Sequence, residues 1–108
     1  MLKETESQIQ SAICDYLTYK GYFFWRQNNV ATIQIDSYGT RMRRMPKYAR
    51  KGTPDIFILL PGKVILMEVK SSIGQLSDEQ KELQKKCEEF QIQYCVVRSI
   101  DDVQKLGL

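Results

Sequence analysis

The sequence predicts an α/β fold, a mixed central β-sheet flanked by helices, on two observations. Two apolar runs of strand length, 54–60 (PDIFILL) and 63–70 (KVILMEVK), are separated only by Pro61-Gly62. Segments with helical periodicity and capping-box spacing stand on either side of them.

The first helix opens at Thr5, which has capping-box spacing to Gln8. Ile9, Ile13 and Leu17 follow at helical intervals, and Gly21 closes it. Tyr22–Gln27 is an aromatic-rich strand, and a continuous apolar run of this kind is expected of a strand buried on both faces. Asn28-Asn29 reads as a turn, and VATIQI at 30–35 alternates as a second strand. A basic loop follows, with Pro46 arguing against regular structure through it. The two apolar strands come next, joined by the Pro-Gly turn. Ser77 and Gln80 open a second helix with Leu83, Cys87 and Phe90 on one face. A strand over 92–98 and a short helix capped by Ser99 and Asp102 complete an α-β-β-β-β-α-β-α order.

The chain's 108 residues are expected to form one domain over 1–108. With 43% hydrophobic and 27% charged residues it has the composition of a globular protein. No apolar run is long enough to cross a bilayer, and MLKETESQ is too polar for a signal peptide, so a cytoplasmic protein is expected. Cys14, Cys87 and Cys95 form no C-x-x-C pair and read as small core residues. There is no histidine, which excludes a Ser-His-Asp triad, a histidine-bound zinc and a histidine general base. Chemistry here falls to carboxylates, lysine or tyrosine.

The net charge of +3 is a weak hint of a polyanionic partner. Its distribution says more. Arg41, Arg43, Arg44, Lys47, Arg50 and Lys51 fall within eleven residues that contain no acid. Charge runs are usually solvated surface, but this one directly precedes Asp55, which favours contact with phosphates.

Strand register brings the acidic residues together. If Pro61-Gly62 closes a hairpin with Leu60 opposite Lys63, Asp55 stands opposite Glu68. Glu68 and Lys70, two apart on a strand, share a face. Opposed like charges destabilise a sheet, and these lie between apolar neighbours, so a bridging divalent cation is the natural explanation. Lys70 adds a compact positive charge suited to holding a water or steadying a phosphate. The plain alternative, solvated ion pairs at a strand end, suits any one of these residues but not the three together. A Pro-Gly pair also favours a type II turn, which is not the preferred two-residue hairpin turn.

Gly52-x-Pro54-Asp55, Glu68-Val69-Lys70 and Gly74-x-Leu76-Ser77-x-x-Gln80 together resemble the virus-type replication-repair nuclease family, VRR-NUC, of the PD-(D/E)XK superfamily. The resemblance runs from about Glu6 to the last helix. It implies a restriction-endonuclease-like core and a Mg²⁺- or Mn²⁺-dependent phosphodiesterase. It implies that Asp55, Glu68 and the Val69 carbonyl bind metal and that Lys70 assists the water. Stand-alone members resemble Holliday-junction resolvases that work as homodimers, while larger members carry the module in DNA-repair nucleases. The setting implied is the cytoplasm of a bacterial or phage-infected cell.

Glu6 lies on the stripe of Ile9, Ile13 and Leu17. The helix dipole explains an acid in the first turn but not its face, and the family places a metal-linked glutamate on this helix. Gln80 is explained by its capping box with Ser77, yet its stripe with Leu76, Leu83 and Cys87 turns it towards the carboxylates, and the resemblance gives it a catalytic place. Tyr22, Phe23, Phe24 and Trp25 read as core and dimer surface, whereas Tyr38 and Tyr48 suit contact with unstacked bases. The expected function is a metal-dependent endonuclease on branched DNA. The alternatives are a flap- or end-trimming nuclease and a non-catalytic DNA-binding module on the same fold.

Overall fold

The computed structural model describes residues 3–27, 32–35, 37–39, 41–44 and 47–108, with backbone only for 32–35 and 41–44. Helix α1 spans Glu6–Lys20, with both capping-box bonds between Thr5 and Gln8 in place. Its apolar stripe of Ile9, Ile13 and Leu17 is buried. Strand β1 (Phe23–Arg26) is followed by β2 (Thr32–Ile35) and β3 (Arg41–Arg44). Then come β4 (Ile56–Leu60), β5 (Lys63–Val69), helix α2 (Asp78–Glu89), β6 (Gln93–Val97) and helix α3 (Ile100–Lys105).

The main sheet has the order β1-β4-β5-β6. β1 and β5 run antiparallel to β4, and β6 runs parallel to β5. A parallel neighbour needs a crossover, and α2 supplies it. Ile56 and Ile58 of β4, Ile65, Met67 and Val69 of β5 and Val97 of β6 point to one face. There they form the core with Ile9, Ile13 and Leu17 of α1, Val103 of α3 and Leu108. The opposite face carries Phe57, Leu66, Glu68 and Tyr94, and α2 packs on its β5–β6 side.

Three expectations are corrected. The basic segment is not wholly loop: Arg41–Arg44 forms β3, paired antiparallel with β2 as a separate two-stranded unit. RMRR lacks apolar alternation, so only its main-chain pairing marks it as a strand. The expected Asn28-Asn29 turn, Val30 and Ala31 of the second expected strand, and Pro46 lie outside the described residues. The aromatic strand is not buried on both faces. β1 is an edge strand, with Phe23 69% and Trp25 40% exposed while Phe24 packs towards the core. Phe90, expected on the buried face of α2, is its C-cap and 68% exposed, because it lies past the last helical turn. All three cysteines are free, Cys87 buried and the other two half-buried.

Candidate active site

The site grows from the β4–β5 hairpin. Leu60 stands opposite Lys63 and Ile56 opposite Met67, so the expected register holds. Gly62 makes this possible by taking φ +74°, a left-handed conformation that costs other residues more. One step beyond Ile56 and Met67 stand Asp55 and Glu68. Asp55 precedes β4 and is anchored twice. Its carbonyl accepts from the Gln27 N–H at 2.7 Å, and its Oδ2 accepts from the Val69 N–H at 2.8 Å.

Glu68 is 2% exposed and is the buried charged residue among those described. Gln80 Nε2 donates to its Oε1, and Lys70 Nζ lies 3.6 Å from the same oxygen. Oε2 is buried with no hydrogen-bond partner among the described residues. Burial first, and then the charge and hydrogen-bonding carboxyl of Asp55, push the Glu68 pKa up to about 8. Lys70 opposes the rise, and Glu6 adds to it weakly. Glu68 therefore keeps its proton to a higher pH than an ordinary carboxyl, and a cation could replace that proton.

Gln80 performs both roles read from the sequence. Its N–H donates to Ser77 Oγ at 3.2 Å, and its Oε1 accepts from the Ser77 N–H at 2.9 Å. Its Nε2 is left for Glu68. The first turn of α2 is also pressed against the segment leading to Asp55. A Cβ on Gly52 would lie 2.9 Å from Glu79 and 3.0 Å from the Gln80 nitrogen, and Gly52 has φ +79°. Glycine at this motif position therefore lets the helix approach the loop.

Lys70 extends the β5–β6 ladder by donating its N–H to the Val97 carbonyl at 3.0 Å. The loop beyond it is held by Arg98, whose Nη1 donates to the carbonyls of Ser71 and Gly74. Nothing in residue spacing announces this clamp, because Arg98 meets the loop only through the parallel pairing of β6.

Asp55, Glu68, Val69, Lys70 and Gln80 are thus brought together. Glu6 is exposed in the first turn of α1 rather than turned inward with Ile9. Among the described residues no group of three His, Cys, Asp or Glu side chains forms a metal cluster. Lys47, Arg50 and Lys51 are exposed between β3 and Asp55, and Arg41, Arg43 and Arg44 belong to β3. Tyr38 and Tyr48 are 92% and 91% exposed.

The family model described as VRR-NUC domain matches residues 4–101. The chain belongs to the VRR-NUC family. A VRR-NUC domain implies a nuclease of the PD-(D/E)XK type. Comparisons with curated proteins and with solved structures gave no match. Among the described residues no helix is long and apolar enough to cross a membrane.

Proposed function

We propose that this VRR-NUC domain, occupying 1–108, is a divalent-metal-dependent DNA endonuclease. The observation that carries the reading is the buried Glu68 beside Asp55, with one Glu68 carboxylate oxygen that has no hydrogen-bond partner among the described residues. An all-oxygen donor set of two carboxylates fits Mg²⁺ or Mn²⁺. Asp55, Glu68 and the Val69 carbonyl would hold the ion, with Glu6 acting on it from the first turn of α1. When bound, such an ion polarises a phosphoryl oxygen and lowers the pKa of a water.

The chain's own residues do the rest. The Val69 N–H fixes the Asp55 carboxylate, and Gln80 fixes that of Glu68. Lys70, 11% exposed at its side chain, orients the attacking water and steadies charge on the phosphate. Water adds to phosphorus, one P–O ester bond breaks, and the leaving oxygen takes a proton. Arg41, Arg43, Arg44, Lys47, Arg50 and Lys51 hold the DNA backbone without reading its sequence.

The substrate proposed is branched DNA such as a four-way junction, cut by a homodimer that presents two sites to symmetry-related strands. Exposed Phe23, Trp25 and Leu59 on and beside the β1 edge give a second copy an apolar face to cover. Trp25 packs against Phe57, with ring centres 5.5 Å apart and planes tilted by 31°.

The test is incubation of the purified protein with a four-way junction, a flap and linear duplex, with Mg²⁺ and with EDTA, alongside light scattering. The expected result is Mg²⁺-dependent cutting of the junction by a dimer. Cutting confined to flaps or ends would make it a trimming nuclease. Binding without cutting of any substrate would make it a non-catalytic module.

A further inference from the structure

Two side-chain polar atoms are buried without a hydrogen-bond partner among the described residues: Glu68 Oε2 and the Tyr94 hydroxyl. They are not independent. In the β5–β6 ladder Tyr94 lies beside Leu66 and Val96 beside Glu68. Tyr94, Leu66 and Glu68 therefore share the sheet face under α2. Tyr94 is the diagonal neighbour of Glu68, a separation that an aromatic side chain spans. Burial raises the Tyr94 pKa, and the charges of Glu68, Cys87 and Asp55 raise it further.

A hydroxyl in this place needs a reason. If Tyr94 only filled space under α2, phenylalanine would do so without stranding a polar atom. Buried groups with no protein partner are commonly joined by an ordered water. One water between them would satisfy both orphans, accepting from the Tyr94 O–H and donating to Glu68 Oε2. A carboxylate oxygen accepts from more than one partner, so this water and a cation can share Oε2.

We propose that Tyr94 is a positioning residue of this site, its hydroxyl reaching Glu68 Oε2 through one ordered water. Glu68 is then held on both oxygens, by Gln80 on Oε1 and by the Tyr94 water on Oε2. Such outer contacts fix a ligand's orientation before the ion arrives. The proposal rests on the metal-dependent reading above, and it adds a residue from β6, outside the motif segments at 52–55, 68–70 and 74–80.

The experiment compares the parent chain with Tyr94→Phe. Mn²⁺ binding is followed on the protein alone by the electron paramagnetic resonance of free Mn²⁺. Thermal melts and single-turnover cleavage of a four-way junction accompany it. Tyr94→Phe is expected to weaken Mn²⁺ binding by roughly tenfold or more and to slow cleavage by a similar factor. Its melting temperature without metal should be unchanged or raised. Unchanged Mn²⁺ affinity and rate in the variant, with a parent that binds Mn²⁺ and cuts, would overturn the role of Tyr94 alone. A variant that loses its fold would also overturn it, since the proposal gives the hydroxyl no part in packing. A parent that binds no Mn²⁺ overturns the metal reading and this proposal with it.

Discussion

The backbone N–H of Val69 donates to Oδ2 of Asp55 at 2.8 Å, which ties the carboxylate before β4 to the strand carrying Glu68. Asp55 is thereby a structural acceptor as well as a proposed metal ligand, and the two roles separate by substitution. Asparagine at 55 keeps an oxygen for the Val69 N–H, whereas alanine leaves a buried donor unpaired. Asp55→Ala is expected to be less stable than Asp55→Asn by about 1–3 kcal/mol in urea unfolding, while both lose cleavage. Equal stabilities would remove the structural role, and cleavage by either variant would remove the catalytic one.

Glu68 sets a pH dependence. Its carboxyl titrates near 8 in the folded chain, raised chiefly by burial and then by Asp55, against roughly 4.3 when unfolded. Between those values the folded state holds a proton that the unfolded state has released. This contribution to stability is complete below the unfolded value and is lost as pH rises through the folded one. In EDTA, melting temperatures should therefore fall between about pH 5 and pH 8, and Glu68→Gln should flatten the fall. A variant that keeps the full slope would show that other groups cause it.

The basic residues before Asp55 are expected to touch phosphates. Replacing Arg43, Arg44 and Lys47 with alanine should weaken binding to all sequences alike. It should also reduce the log–log salt slope by roughly 0.9 for each duplex phosphate that is no longer neutralised. Fluorescence anisotropy in Ca²⁺ over a salt series checks this, and an unchanged slope would return the segment to solvated surface.

Legibility in the sequence followed locality. The caps at Thr5, Ser77 and Ser99 depend on neighbours three residues away, and all three are present. The meeting of Asp55 and Glu68 was legible because a tight turn leaves little freedom in register. The Gln80 contact with Glu68 was half legible: the stripe gave its direction, but the packing of α2 against the β6 side of the sheet brought the two together. The exposure of Phe23 was hidden because edge and central strands share one composition, and only sheet order separates them. Arg98 and Tyr94 were invisible for a related reason. Both reach the site through parallel pairing of β6 with β5, which no local pattern encodes.

The central claim, that Asp55 and Glu68 are a metal-binding pair, is tested most directly by thermal melts of the parent and Asp55→Asn in EDTA and in Mg²⁺. In EDTA, Asp55→Asn takes away the charge that crowds Glu68 and keeps an acceptor for the Val69 N–H, so it should melt at or above the parent. Mg²⁺ should raise the parent's melting temperature as RT ln(1 + [Mg²⁺]/Kd) requires, and the variant's far less. A variant that melts clearly below the parent in EDTA, together with a parent that Mg²⁺ does not shift, would contradict the claim.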